Sequence, residues 1–166
     1  MKHNLYLVRH ATTRSGQFYN HDRERELKPE GVEDAIKLGN YIQTSGLSVS
    51  LIISSHAERA KATSLLIAKA INYPVEKILH SEKIYPGALV DMLELVQQTP
   101  DSVENILMVG HYPSIVDLHD YLSDYKKSAM ATSEMSAINF NVAWADLSEG
   151  CGKFVFDYHP LYKPNG

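Results

Sequence analysis

The stretch LYLVRHATT, Leu5 to Thr13, decides how this chain folds. Its first residues are mostly apolar, with the length and density of a short strand inside a parallel sheet, so we predict a strand over residues 4–8. Arg9 and His10 follow at once, and both side chains can carry a positive charge. Two such residues directly after an interior strand raise the question of what they bind.

The composition favours one folded domain. The chain has 166 residues, enough for a substantial core, and we expect a single domain over residues 1–166. Hydrophobic residues make up 44% and charged residues 22% of the chain, which is typical of a folded protein rather than a disordered one. The net charge of −4 argues against a general nucleic-acid-binding protein, which would carry a basic face.

The sequence also argues against several other classes of protein. Cys151 is the one cysteine of the sequence, so neither an intramolecular disulfide nor a cysteine metal cluster is expected. The apolar run before Arg9 is too short for a signal peptide or a membrane span, and we therefore expect a cytoplasmic protein with no membrane partner. The sequence contains no coiled-coil seam, and we expect a monomer.

Apolar spacing along the rest of the chain predicts strands that alternate with helices. A polar loop over residues 12–28 leads to a helix that begins at Pro29 and ends near Gly46. The further predicted elements are a strand at 51–54, a helix with Ala60, Thr63, Ile67 and Ala70 on one face, an extended segment from Pro74, a loop at 82–86, a helix through residues 89–96, a strand at 106–109, and a helix from Pro113 through Ile115, Leu118 and Leu122.

The tail of the chain has a different pattern. Residues 136–144 and 150–157 alternate in part between apolar and polar, and they predict a hairpin that closes over residues 148–152. Strands separated by helices in the first two thirds indicate parallel pairing through right-handed crossovers. The predicted fold is α/β, three layers α/β/α, with a mainly parallel sheet and a C-terminal hairpin.

Three predicted strands end in residues that suit one chemistry. The first ends in Arg9 and His10, the second runs into SSHAERA with Arg59, and the third ends in Gly110 and His111. Because the carboxyl ends of parallel strands meet at one edge of a sheet, we expect these side chains to converge there. Arginine forks match phosphate oxygens, and histidine can act as a donor, an acceptor or a nucleophile. Since no metal-binding or P-loop motif is present, the pattern predicts a phosphate site with no metal and no cofactor.

These residues carry a resemblance to a known family. Arg9-His10, then SSxxxRAxxT from Ser54 to Thr63, then Gly110-His111, in this order, resemble the histidine phosphatase superfamily, the phosphoglycerate-mutase-like proteins. Shorter segments are similar to the SixA-type phosphohistidine phosphatases of that superfamily. They are RELKPEG at 25–31, PGALVDML at 86–93 and TSEMSAINF at 132–140.

The resemblance implies a two-step phosphoryl transfer. His10 attacks phosphorus and becomes a phosphohistidine, and water then releases phosphate. Arg9, Arg59 and His111 hold the non-bridging oxygens. His10 must be unprotonated at the attacking nitrogen, and a hydrogen bond from its other nitrogen to a backbone carbonyl would fix that tautomer. The residues expected to contact substrate besides these four are Arg25, Thr13, Tyr112 and Ser133.

The sequence departs from the family pattern in two places. Ala11 stands where glycine is usual, which is tolerable if φ is negative there. A general acid is also hard to place, and Glu82 is the nearest candidate. An imidazole leaving group is far less basic than an alkoxide and needs less help from an acid.

Three hypotheses for the function follow. The first is a metal-independent phosphatase that acts on phosphohistidine, carried by a phosphotransfer protein in signalling. The second keeps the enzyme class and takes small phosphoesters or sugar phosphates as substrates, and an acid at Glu82 reaching the pocket would favour it. The third is a phosphate- or phosphoprotein-binding module without turnover.

Overall fold

A six-stranded sheet forms the middle layer of the protein. The computed structural model describes residues 2–85 and 87–161. Its strands are β1 (His3–Arg9), β2 (Leu51–Ser55), β3 (Leu79–Ser81), β4 (Asn105–Gly110), β5 (Met135–Phe140) and β6 (Lys153–Tyr158). They lie in the order β3-β2-β4-β1-β5-β6. The first four strands in this order are parallel to one another, β5 is antiparallel to β1, and β6 is antiparallel to β5. The predicted α/β fold with a mainly parallel sheet is confirmed.

Four helices cover the two faces of this sheet. They are α1 (Pro29–Thr44), α2 (Glu58–Ala70), α3 (Leu89–Gln97) and α4 (Ser114–Leu122). Within β1, Leu5 and Leu7 pack with residues of α3 and α4, while Tyr6 and Val8 pack with residues of α1 and α2. This alternation follows from the two-residue period of a strand and produces the predicted three layers. That the whole chain forms one domain stays a prediction.

The central strand is buried on both sides. All six residues of β4 are buried, because β4 lies between β1 and β2 and has helices on both of its faces. Such strands read as continuous apolar runs, which is why ILMV was visible as a strand in the sequence. Since β1, β2 and β4 are adjacent and parallel, their carboxyl ends lie side by side at one edge.

The predicted C-terminal hairpin is present, but the boundaries predicted for it are wrong. The strand expected over residues 136–144 ends at Phe140, and the connection to β6 takes up residues 141–152 instead of 148–152. Trp144 belongs to a 3-10 turn, where its backbone N–H donates to Asp101 Oδ1 at 2.9 Å and its indole N–H donates to the Val103 carbonyl at 2.7 Å. Its ring fills the core, so the chain leaves the sheet before this residue.

Two predicted loops contain short helical turns. The segment 12–28 includes 3-10 turns at Gly16–Phe18 and Asp22–Glu24, and its ends are joined by an isolated bridge between Thr13 and Leu27. The loop predicted at 82–86 begins with a 3-10 turn, Glu82–Ile84, while Pro86 lies outside the described residues. No described helix is long and apolar enough to cross a membrane.

Helix α1 approaches the chain after β1 so closely that only glycine fits. Gly31 lies in the first turn of α1, and a Cβ built there would lie 2.3 Å from the carbonyl oxygen of Thr12. That carbonyl also accepts a hydrogen bond from the backbone N–H of Lys28 at 2.9 Å. The position of the Thr12 backbone is therefore fixed by the helix that follows it.

The variant Gly31→Ala should lower both stability and activity. Its methyl group must push the Thr12 backbone away, and overpacking of this kind costs about 1–3 kcal/mol. Urea unfolding measures the stability, and Asn40→Ala on the exposed side of the same helix is the matched control. An unchanged unfolding midpoint in Gly31→Ala would refute the tight contact.

Candidate active site

The structure brings four predicted residues to the shared edge of the sheet. Arg9 is the last residue of β1 and His10 follows it; Arg59 lies in the first turn of α2, directly after β2; His111 follows β4. The Arg59 Nε–H donates to His10 Nε2 at 3.3 Å, and the rings of His10 and His111 have centroids 5.2 Å apart. Residues far apart in sequence therefore meet because their strands are neighbours.

His10 is held in one tautomer. Its Nδ1 lies 2.8 Å from the carbonyl oxygen of Ala11, which can only accept, so Nδ1 carries the proton and Nε2 is unprotonated, with a lone pair that accepts the Arg59 Nε–H. Burial lowers the pKa of His10 to about 4 despite the Ala11 hydrogen bond, and the charges of Arg59 and Arg9 add to the effect. His10 is thus a neutral imidazole at neutral pH, as attack through Nε2 requires.

The alanine after His10 fits its place. Ala11 is fully buried, and it is not among the described residues that have a positive φ, so its methyl group causes no backbone strain. Its N–H donates to Thr63 Oγ1 at 3.0 Å, while the Thr63 hydroxyl donates to the Arg59 carbonyl at 2.7 Å. The threonine of the SSxxxRAxxT motif therefore joins α2 to the backbone that holds His10.

His111 has one ring nitrogen without a hydrogen-bond partner among the described residues. Its Nε2 lies 2.8 Å from Ser55 Oγ, and that oxygen already accepts the Ala57 N–H at 3.2 Å. A hydroxyl that accepts one hydrogen bond can still donate another, so the Ser55 hydroxyl can donate to Nε2; in that tautomer His111 carries its proton on Nδ1. Nδ1 is buried and has no partner within the described part of the chain. Burial, together with the neighbouring His10 and the positive charge of Arg59, lowers the pKa of His111 to about 3, so the ring is neutral.

Asp22 is a member of the site that sequence reasoning missed. Its Oδ2 accepts from Arg59 Nη2 at 2.9 Å and from the Tyr85 hydroxyl at 2.7 Å, and its backbone carbonyl accepts from Arg59 Nη1 at 2.9 Å. Burial opposes ionisation, but the hydrogen bonds from Tyr85 and Arg25 and the charge of Arg59 prevail and lower the pKa of Asp22 to about 2. Asp22 stood in the charge run DRERELK, where no spacing singled it out.

Arg25 and Thr13 lie beside Asp22. Arg25 Nη1 donates to Asp22 Oδ1 at 3.2 Å, and its Nη2 donates to Thr13 Oγ1 at 2.7 Å. The charge of Arg25 contributes to the lowered pKa of His10. Both residues predicted to contact substrate are therefore near the site, linked to each other and to the segment that carries Asp22.

Arg9, Tyr112 and Ser133 lie close together at the end of β1. The Arg9 guanidinium lies over the Tyr112 ring, 5.1 Å from its centroid, and Arg9 Nη1 donates to the Met130 carbonyl at 2.8 Å. Ser133 adopts a left-handed φ of +63°, and its N–H lies 3.0 Å from the carbonyl of Arg9 and 3.3 Å from that of His10. The buried atoms Arg9 Nε and Ser133 Oγ have no partner among the described residues.

Glu82 does not reach the cavity that contains Arg59 and His111. It is exposed at the start of its 3-10 turn, and it lines two neighbouring depressions, one of them with Arg23, His56 and Tyr85. The expectation that Glu82 is placed to protonate a leaving group is therefore not supported by its position. The turn aims Ile84 into the core and leaves Glu82 on the outside.

A cavity of about 510 Å³ opens beside these residues. Arg59, His111 and Asp22 contribute to its lining. The rest of the lining is largely apolar and consists of Ile84, Tyr85, Gly87, Ala88, Leu89, Tyr112, Pro113, Ser114 and Asp117. Among the described residues, no group of three or more histidine, cysteine or acidic side chains could hold a metal ion.

Comparison with known proteins identifies the class. A family model of the histidine phosphatase superfamily (branch 1) matches residues 5–109, more than half of the chain. The chain belongs to the histidine phosphatase superfamily and is a phosphatase hydrolase. The matched residues include Arg9, His10 and Arg59 and end just before His111, whose place in the site comes from the structure.

Solved structures place the fold within this superfamily. The SixA protein of Nakamurella multipartitia superposes with a TM-score of 0.84 at 23% identity, covering 98% of each chain. The protein histidine phosphatase SixA in complex with tungstate gives 0.82 at 18% identity, covering 95% of this chain and 97% of that one. The SixA-type resemblance is thus confirmed for the fold. A mycobacterial glucosyl-3-phosphoglycerate phosphatase also matches, with 0.67 at 13% identity over 93% and 97%.

Imidazole NMR should find His10 neutral with its proton on Nδ1. Because burial and the neighbouring arginines lower its pKa to about 4, its resonances should stay constant through the range where an ordinary histidine titrates. Long-range ¹H–¹⁵N spectra during an acid titration measure this, and His10→Gln assigns the signals. Titration of His10 at the ordinary value, or a proton on Nε2, would contradict the geometry described.

Proposed function

We propose that this protein hydrolyses phosphohistidine carried by another protein, through a phosphorylated intermediate on His10. The observation that carries the proposal is the unprotonated Nε2 of His10, whose tautomer the Ala11 carbonyl fixes and whose lone pair accepts the Arg59 Nε–H. A buried neutral imidazole with one fixed lone pair is a nucleophile that needs no separate base. The partner we expect is a phosphotransfer protein of a signalling pathway.

In the first step, Nε2 of His10 forms a bond to phosphorus while the bond from phosphorus to the leaving group breaks. His10 becomes positively charged as it reacts, because it keeps its proton on Nδ1. The Ala11 carbonyl, 2.8 Å from Nδ1, stabilises that charge. Arg59 Nε–H now occupies the Nε2 lone pair at 3.3 Å, and a phosphoryl oxygen would take over this donor when substrate binds.

The developing negative charge falls on the non-bridging phosphoryl oxygens. Arg9 and Arg59 supply guanidinium donors there, and His111 supplies its unpartnered Nδ1–H. Arg25, Thr13, Tyr112 and Ser133 border the same place and complete the substrate contacts in our proposal. Phosphoryl transfer depends mainly on positioning and on electrostatic stabilisation, and donors fixed in advance provide both.

In the second step, water attacks the phosphorus of phospho-His10. The bond from His10 Nε2 to phosphorus breaks, its electron pair returns to Nε2, and inorganic phosphate leaves with both hydrogens of the water, as dihydrogen phosphate. The histidine recovers the neutral tautomer with which it began. No metal or cofactor is needed in either step.

The states of Asp22 and Glu82, the two candidate acids near His10, support an imidazole leaving group. Asp22 has a pKa of about 2 and is bound to Arg59, Arg25 and Tyr85, so it holds no proton to give at neutral pH. Glu82 lies outside the cavity. An alkoxide leaving group would need such a proton far more than an imidazole does.

A paired assay tests the proposal. The purified protein is incubated with a phosphohistidine-bearing phosphotransfer domain and, separately, with p-nitrophenyl phosphate, each with EDTA present. We expect turnover of the phosphohistidine, inhibition by vanadate or tungstate, and a loss of at least about 10⁴-fold in His10→Ala, because no other group replaces the nucleophile. The exposed His80 provides a control variant, His80→Ala, which should keep full activity.

The other outcomes separate the remaining hypotheses. Strong turnover of p-nitrophenyl phosphate without turnover of phosphohistidine would replace our proposal with a phosphatase of small esters. Tight binding of phosphate with no turnover of either compound would mean a binding module. Loss of activity in EDTA would contradict a mechanism without metal.

A further inference from the structure

The cavity that His111 lines has a largely apolar part of its wall that the mechanism has not used. Ile84, Leu89 and Pro113 give it apolar walls, and Tyr85 and Tyr112 add aromatic rings. Arg59 and His111 line the same cavity, so a group attached to the bound phosphoryl would extend into this part. Its walls suit a flat, weakly polar leaving group better than a sugar, which would leave many hydroxyls without partners.

One carboxyl group stands at the edge of this apolar part. Asp117 lies in the first turns of α4 and lines the cavity, and its side chain has no hydrogen-bond or ion-pair partner among the described residues. Asp22, the other acidic residue that lines the cavity, is occupied by Arg59, Arg25 and Tyr85. Asp117 is therefore the acidic side chain available to a leaving group.

A phosphorylated imidazole has a use for such a group. When the bond from phosphorus to its nitrogen breaks, the electron pair stays on that nitrogen. If the remote ring nitrogen carries a proton, the ring departs as neutral imidazole; if it does not, the ring must depart as the far more basic imidazolate. An acceptor at the remote N–H favours the protonated form before the bond breaks.

We propose that Asp117 is a specificity-determining residue that accepts a hydrogen bond from the remote N–H of the departing imidazole. This inference rests on the proposed phosphohistidine substrate and explains how that substrate leaves without a general acid. No proton moves in the step: the N–P bond of the substrate breaks, a new N–P bond forms at His10 Nε2, and the remote proton stays where it was.

The imidazole of His10 and the imidazole of the substrate are then held in the same way. His10 keeps its proton on Nδ1 against the Ala11 carbonyl and reacts through Nε2. The substrate ring keeps its proton against Asp117 and departs through the other nitrogen. A phosphoester leaving group has no N–H at that place and gains nothing from Asp117, so the residue separates the two substrate classes.

The test compares Asp117→Asn with the unaltered protein on phosphoimidazole, on a phosphohistidine peptide and on p-nitrophenyl phosphate. We expect kcat/KM to fall roughly 10- to 100-fold on the two imidazole substrates, the effect of losing a charged hydrogen bond, with little change on the ester. Asp146→Asn makes the same charge change at an exposed site, in the turn whose Trp144 packs on His3 at the opposite end of β1, and should change nothing.

The pH profile distinguishes this role of Asp117 from a purely structural one, which would not shift the profile. With Asp117 present, hydrolysis of phosphoimidazole should persist to higher pH, because a carboxylate raises the pKa of the remote N–H; in Asp117→Asn the alkaline fall should begin at lower pH. The other charged or titratable groups that line the cavity are Asp22, Arg59, Tyr85, His111 and Tyr112, and all of them are unchanged in the variant.

The outcomes distinguish this inference from the function on which it rests. If the unaltered protein hydrolyses phosphohistidine and Asp117→Asn does so equally well, or loses both substrate classes alike, the role of Asp117 is refuted and the proposed function stands. If the unaltered protein hydrolyses the ester alone, both are refuted.

Discussion

The hydrogen bond from His10 Nδ1 to the Ala11 carbonyl is the interaction on which the chemistry of this protein depends. It determines that Nε2 is the unprotonated nitrogen, and the rest of the site is arranged around that nitrogen. The bond is only as rigid as the backbone that provides it. Thr63 holds the Ala11 N–H, and the Ser133 N–H lies against the carbonyls of Arg9 and His10. Gly31 lets α1 close against the next peptide.

The electrostatics of the site are a balance of opposite demands. A phosphoryl group requires a concentration of positive charge, and the same charge, with burial, keeps His10 and His111 neutral. Arg59 and Arg25 both lie next to Asp22, and without its carboxylate their positive charges would repel each other. Asp22 offsets this repulsion and orients Arg59 by contacts to both of its Nη atoms. The cost is a negative charge beside an anion site, which binding of a dianion must overcome.

Much of this arrangement was predictable because it follows from strand ends. Arg9, His10 and His111 directly follow buried apolar runs, and the rule that parallel strands share one carboxyl edge brings them together without any knowledge of contacts. The sheet and its helices were visible for the same reason, since alternation and helical spacing are local patterns. Arg59 was predicted from its place just after the second strand, and the family motif SSxxxRAxxT supported that choice.

The parts that escaped prediction depend on contacts between distant segments. Asp22 and Tyr85 meet through a hydrogen bond of 2.7 Å although 63 positions separate them, and neither stood out among its polar neighbours. Glu82 was a reasonable candidate by sequence, but a single 3-10 turn directs it away from the cavity. Trp144 fitted the alternating pattern of a strand in the sequence. In the structure its indole N–H donates to the distant Val103 carbonyl, a contact that places it outside the strand.

The central claim is that Nε2 of His10 accepts the phosphoryl group. The most direct measurement is to mix the protein with a phosphohistidine substrate, stop the reaction in alkali, where phosphohistidine survives, and locate the phosphate by peptide mass spectrometry and ³¹P NMR. The account predicts phosphate on His10, bonded to Nε2, and none in a His10→Ala sample. Turnover with no phosphorylated enzyme, or with phosphate on another residue such as His111, would contradict it.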